Sequence, residues 1–289
     1  PAAAFVDMVL AAAHNAFPDN SPSLSQIKLH EALPLTADAD QTVQIIISLT
    51  MPNTAVFQLF GRAHQDEPWT LHVDGTVRLA HTPPQTPELP QPTAAPQTGS
   101  DHYRATASRG LPYGPAFQSV HQFWPVAGGV LGKLTLPETA AADAHAYLLP
   151  PPLLDAVFQL LLTTLSPHET ATYLPVSIGD MWCHGRFQSD QPYRGYAIRH
   201  QGDGLRGDVY LFAGDQLLCT VTDLHMAPLP ESKADVADWI YTVAWQPRPL
   251  PEQTTPTVET PGQWLIFTDA AGAGRALADA RRRMEEARQ

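Results

Sequence analysis

The sequence predicts an α+β fold in which one unit, a buried helix followed by an antiparallel sheet, occurs twice. Three observations carry that expectation. Apolar, helix-compatible runs open near residues 2 and 153, four strand-like runs follow each of them, and a proline-rich spacer separates the two copies. With 289 residues the chain is long enough for about two domains and a sizeable core.

The first unit opens on Pro1, a residue suited to a helix start, and on the run Ala2 to Ala13. There Phe5, Val6, Met8, Val9 and Leu10 leave little polar relief, so the helix must be buried nearly all round. Strand-like runs follow at Gln26 to Leu35, Thr42 to Met51, Ala55 to His64 and Trp69 to Ala80, divided by Asp, Asn, Gly and Pro turn residues. The segment 81–100 holds six prolines and almost no large apolar side chain, which predicts an extended spacer. The second unit, 101–229, has its helix in Pro150 to Leu165. Its strand-like runs are Tyr173 to Phe187, Tyr193 to His200, Gly207 to Ala213 and Gln216 to Ala227. One helix wrapped by a curved antiparallel sheet is a hot-dog unit, and two in tandem, 1–80 and 101–229, make a double hot-dog. Residues 230–289 read as a linker and a short α/β-like fragment, with a strand in IYTVAWQP and a strand, glycine turn and helix in GQWLIFTDAAGAGRALADARRR. Gly272 and Gly274 fall short of a dinucleotide fingerprint, because Leu277 stands where a third small residue is required.

Composition narrows the function classes. The 17 Lys and Arg against 29 Asp and Glu give a net charge of −12, which repels nucleic acid. The longest apolar stretches each contain an Asp and are shorter than the roughly 20 residues that span a bilayer, so no membrane segment is expected. Two cysteines, Cys183 and Cys219, are too few for a disulfide framework or a cysteine zinc site and suit a reducing, cytoplasmic setting. The apolar opening without an initiator Met reads as a piece of a longer chain.

Two segments point to a family. GLPYGPAFQ, residues 110–118, resembles the Tyr-Gly-Pro motif of polyketide synthase dehydratase domains, and LPPPLLDAVFQ, residues 149–159, resembles the Asp-x-x-x-Gln/His motif of the same family. Supporting resemblances are LPVSI (174–178), WTLHVDG (69–75) and DWIYTVAWQP, which is similar to the lead into a ketoreductase region. The resemblance implies elimination of water from a 3-hydroxyacyl thioester carried on the phosphopantetheine of an acyl carrier protein, with no cofactor. It implies the other domains of the same synthase as partners, and dimerisation of the parent. It also implies a catalytic His in a His-x-x-x-Gly-x-x-x-x-Pro motif whose last proline corresponds to Pro1, so that the His precedes the sequence. Two accounts follow: the chain begins after that motif, or the protein lacks it and is an inactive scaffold. A variant that also cyclises its product or shifts the double bond would share the remaining residues.

Such chemistry needs a base for the α-proton and an acid for the departing hydroxyl. Asp155 is the expected acid, with Gln159 at i+4 on the same helical face to orient it. A helix N-terminus favours the carboxylate, so burial among Leu153, Leu154, Val157 and Phe158 must win to keep the acid protonated. Tyr113 is expected to present its phenol to a substrate oxygen, while Gly114 and Pro115 form a tight turn that lets the backbone approach the substrate. Phe117, Leu154, Phe158, Leu174 and Pro175 are expected as walls of an acyl tunnel, and the free amides of Ala2 and Ala3 as polarisers of the thioester carbonyl. His14, His30, His64, His121, His168, His184 and His200 show neither metal spacing nor an evident carboxylate partner, and His72 reads as structural. No metal site is expected. Arg194, Arg199 and Arg206 are the expected carrier-protein patch, and Arg281 to Arg283 a solvated helix face.

Overall fold

The computed structural model describes residues 1–35, 40–64, 67–80, 82, 85–166, 168–188, 191–202, 204–229, 275–276, 279–280 and 282–283. The chain divides into two units, Pro1–Ser232 and Lys233–Gln289. In the second, the described residues are helical and exposed, Arg282 and Arg283 among them. The strand readings at IYTVAWQP and GQWLIF, and Gly272 and Gly274, lie outside the described residues.

The first unit carries helix α1 (Ala2–Ala16) followed by strands β1 (Ser23–Leu29), β2 (Thr42–Met51), β3 (Thr54–Arg62) and β4 (Thr70–Arg78). After the proline-rich segment come β5 (Gln97–Thr98), α2 (Gly99–Ser108), β6 (Val120–Val126), β7 (Gly129–Leu134), α3 (Glu138–Ala141) and α4 (Pro151–Leu162). Strands β8 (Tyr173–Cys183), β9 (Tyr193–Arg199), β10 (Leu205–Ala213) and β11 (Gln216–Pro228) complete it. All eleven strands form one antiparallel sheet in the order β2-β3-β4-β1-β8-β11-β10-β9-β7-β6-β5. The order is a repeat. Helix α1 is followed by strands ordered 2-3-4-1, helix α4 by strands in the mirrored arrangement, and the copies meet where β1 pairs with β8, Ile27 opposite Ile178. This is a double hot-dog. The copies differ at their outer margins. β9 is flanked by β7, whereas its counterpart β2 has no second neighbour among the described residues.

The helices form because their sequences cannot be solvated. Every residue of α4 is buried, and α1 buries Ala3, Phe5, Val6, Asp7, Val9, Leu10 and Ala13. The sheet admits α4 closely through a cross-strand glycine pair, Gly132 opposite Gly195. A Cβ at Gly195 would stand 2.6 Å from Leu160 Cδ1 and 2.9 Å from Val157 Cγ1, and one at Gly132 would stand 2.7 Å from Leu160 Cδ2. Glycine here sets how near the helix sits to the strands.

The spacer expected over 81–100 stops short of its end. Gln97 and Thr98 pair with Phe123 and Gln122 of β6, and α2 begins at Gly99. Thr98 caps α2 by accepting from the Asp101 amide at 3.2 Å. The β6–β7 hairpin, also absent from the expected elements, turns at Ala127–Gly128, where Gly128 has φ +80°.

Candidate active site

The site is assembled from both helices and from the loop that follows α2. That helix ends in a paired C-terminal turn: the Gly110 amide donates to Ala107 O at 3.1 Å and the Leu111 amide to Thr106 O at 2.9 Å. Gly110 has φ +82°, the left-handed conformation this ending requires. The chain then presents Leu111, Pro112 and Tyr113 to a cleft of about 330 Å³. A short 3-10 turn, Pro115–Phe117, follows, and Gln118 Nε2 donates back to Tyr113 O at 2.9 Å.

Asp155, Phe158 and Leu162 of α4 line the same cleft, with Pro1 and Ala2 of the α1 start, Leu174 and Pro175 of β8, and Met226 of β11. Their spacing on α4 is i, i+3, i+7, one helical stripe. Gln159 lies behind this stripe, fully buried. Its Nε2 donates to Asp155 Oδ2 at 2.7 Å and to Phe117 O at 3.0 Å, which ties the Tyr113 loop to the carboxyl group. Burial raises the Asp155 pKa, against the lowering effect of the Gln159 hydrogen bond. The helix start opposes this weakly, because Pro151 and Pro152 supply no N–H at its first two positions. Burial, aided by the Asp155 charge, also raises the Tyr113 phenol, which therefore stays protonated as a donor.

Several expectations need correction. Leu154 is fully buried in the core, turned away from the cleft by helical periodicity, and lines none of it; the methyl group of Ala3, a residue expected for its backbone amide, is buried there too. Gly114 and Pro115 do form the expected tight turn: the Phe117 amide donates to Gly114 O at 2.9 Å, and Pro115 is exposed at the first position of the 3-10 turn. Gly114 itself needs no special conformation, since its backbone is extended, φ −68° and ψ 163°, and a Cβ there would meet nothing within 4 Å. His30 and His200 do have carboxylate partners, Asp74 at 3.2 Å and Asp208 at 3.1 Å. The three arginines form no single free patch. Arg194 pairs with Asp215 at 2.7 Å, Arg206 with Asp223 at 2.6 Å, and Arg199 donates to Thr164 O at 2.8 Å. Arg194 and Arg199 lie at opposite ends of β9, on the order of 16 Å apart.

His72 is packed: Nδ1 contacts Glu31 O at 2.9 Å and the ring stacks on Phe5. Sequence reading missed two residues beside the site, His102 and Tyr103 of α2. The Tyr103 hydroxyl accepts from the Val120 amide at 2.8 Å, and the phenol is raised by burial, with a smaller contribution from Asp155. The Thr98-x-x-Asp101 pattern was the available signal for the helix that carries them.

A buried, orientable carboxyl group at the mouth of a double hot-dog defines an acid site, and comparison with known proteins agrees on the family. Residues 81–235 match the profile described as polyketide synthase dehydratase N-terminal domain, and residues 1–62 the one described as polyketide synthase dehydratase domain. The chain belongs to the polyketide synthase dehydratase family. Among curated relatives, the spectinabilin polyketide synthase system protein NorB of Streptomyces orinoci is 31% identical over 166 residues, 55% of this chain and 8% of NorB. Mycoketide-CoA synthase of Mycobacterium tuberculosis is 30% identical over 151 residues, 51% of this chain and 4% of the synthase. The chain thus spans less than a tenth of either. The dehydratase domain from the CurK module of curacin polyketide synthase superposes with a TM-score of 0.71 at 25% identity, covering 80% of this chain and 84% of that one. An inactive Asp-to-Asn mutant of the CurK dehydratase is 26% identical, with the same TM-score and coverage. The bifunctional dehydratase-cyclase domain in ambruticin biosynthesis gives 0.67 at 25% identity, covering 79% and 82%. Among the described residues no helix is long and apolar enough to cross a membrane.

Proposed function

We propose that the cleft is the acid side of a site that eliminates water from a 3-hydroxyacyl thioester, giving the α,β-unsaturated thioester. One observation carries the reading. Asp155 is a carboxylic acid buried in a largely apolar cleft, oriented by Gln159 and holding its proton to higher pH than a free carboxyl. A base removes the α-proton, the C–H electron pair becomes the second bond of the alkene, and the C–O bond breaks as Asp155 protonates the departing oxygen. Water leaves, and the proton taken by the base restores the acid. The sum is redox-neutral and calls for no cofactor. The family resemblance puts the base, a His, in the motif that ends at Pro1, and the cleft wall formed by Pro1 and Ala2 supports that placement. The inactive Asp-to-Asn mutant of the CurK dehydratase is a parallel in a relative.

The substrate arrives as a phosphopantetheine thioester on an acyl carrier protein, with the other domains of a dimeric synthase as further partners. Carrier proteins are commonly acidic, so a chain at −12 binds one weakly, and linkage in one polypeptide compensates. Arg199, which of the three expected arginines has no carboxylate partner among the described residues, is the residue whose reversal to Glu should weaken that contact. The reaction is tested by incubating the polypeptide that includes both this chain and the His motif with a 3-hydroxyacyl pantetheine thioester, followed by absorbance and mass. Loss of water with near-ultraviolet absorbance is expected. Loss of water without absorbance would indicate a cyclised product, and no loss of water would overturn the reading.

A further inference from the structure

Gln159 leaves one polar atom unaccounted for. Its Nε2 is committed to two acceptors, Asp155 Oδ2 and Phe117 O, which fixes the amide so that Oε1 points away from both. Oε1 is buried with no hydrogen-bond partner among the described residues. Nε2 of His102 is likewise buried without one among the described residues, and the two side chains lie close enough for the Gln159 amide to act on the imidazole. The ring is held from three sides. Tyr103 meets it edge-on with centroids 4.9 Å apart, Phe123 edge-on at 6.2 Å, and Tyr113 stacks at 6.5 Å. His102 itself lines none of the cleft.

We propose that His102 is a positioning residue for the proposed acid: its Nε2–H donates to Gln159 Oε1 and locks the amide with its donor side on Asp155. The inference rests on the dehydratase reading. Without the lock, Gln159 can turn its carbonyl oxygen toward the carboxyl group, which favours the protonated acid in the wrong orientation. An imidazole suits the role because burial depresses its pKa to about 4, so it stays neutral and brings no charge into the nest. The titratable and charged groups around it are Tyr103, Tyr113 and Arg109, with Asp155 reached through Gln159. A leucine would fill the same aromatic nest and offer no donor.

The test compares His102→Leu, His102→Gln and Asp155→Asn in the polypeptide that carries this chain together with the base motif, using a 3-hydroxyacyl pantetheine thioester. His102→Leu is expected to lower kcat about tenfold, the effect of one buried hydrogen bond, with KM unchanged. It is also expected to move the basic limb of the pH–rate profile to higher pH, and His102→Gln, which keeps a donor, to restore both. An unmoved limb with wild-type kcat in His102→Leu, alongside an inactive Asp155→Asn, overturns the role of His102 alone. Activity retained in Asp155→Asn overturns the dehydratase reading itself. If His102→Leu fails to fold, the 15N shifts of the wild-type ring decide. The Nε2–H tautomer at neutral pH supports the proposal, and a bare Nε2 overturns it.

Discussion

Replacing Gln159 by Leu removes the side-chain hydrogen bond that Asp155 receives from it, at 2.7 Å, and the partner of Phe117 O at 3.0 Å, in a side chain of similar volume. A hydrogen bond to a charged group contributes about 1.5–3 kcal/mol. Its loss raises the pH at which Asp155 gives up its proton. The direction is fixed by the site: Gln159 lowers the Asp155 pKa, so its removal adds to the elevation that burial already causes. Elimination needs the protonated acid, so activity is present below that pH and lost as pH rises through it. The basic limb of kcat/KM therefore moves to higher pH, while kcat falls because the carboxyl group is no longer held. The unpartnered Phe117 carbonyl and the His102 Nε2–H left without its acceptor each cost about 1 kcal/mol. Thermal melting should therefore drop by about 4–8 °C at most. The assay is a pH–rate profile on a 3-hydroxyacyl pantetheine thioester beside a melting curve. A basic limb that stays in place or moves to lower pH would refute the assignment of Gln159 as the partner of the acid.

Three further outcomes are expected. Asp155→Asn should be more stable than wild type at neutral pH. The elevated carboxyl leaves stability untouched below the unfolded value near 3.8 and reduces it as pH rises beyond, by about 1.4 kcal/mol for each unit of elevation. Melts at pH 3.5 and pH 7 read the difference, and equal melting temperatures at pH 7 would contradict the burial argument. Gly195→Ala should lose about 1–3 kcal/mol, because its Cβ would press on Leu160 and Val157, and chemical denaturation measures it. Gly114→Ala should leave stability within about 0.5 kcal/mol, since nothing surrounds its Cβ, yet raise KM by placing a methyl group in the cleft. A wild-type KM would show that substrate passes elsewhere.

Much of this fold is written in local patterns. The run at Thr42–Met51 matches β2 end to end, and the four runs after Pro150 match β8 to β11 within a few residues, because each pairs β-branched or aromatic residues with clear turn signals. Helix α2 escaped notice because it is polar and short, and follows a proline-rich stretch whose composition dominates the eye. Its existence depends on the Thr98 cap and on Tyr103 and His102 packing against distant residues. The junction of β1 with β8 was equally hidden, since it joins residues about 150 apart and no local pattern specifies such a pairing. At the site, Asp155, Gln159, Tyr113 and Phe117 drew attention because their segments resemble the family's motifs. His102 was not, because a lone histidine in a polar run carries no sign of the aromatic nest that surrounds it. Leu154 was misassigned for the converse reason: adjacency in sequence to a site residue places a side chain about 100° round the helix, here into the core.

The central claim is that Asp155 delivers the proton on which water leaves. Mass spectrometry of a 3-hydroxyacyl carrier protein, incubated with the polypeptide that includes both this chain and the His motif, tests it most directly. Loss of one water per acyl chain is expected with wild type, and a rate lower by about 10²–10⁴ with Asp155→Asn. Dehydration by the Asn variant at the wild-type rate would contradict the account and move the acid to another group in the cleft.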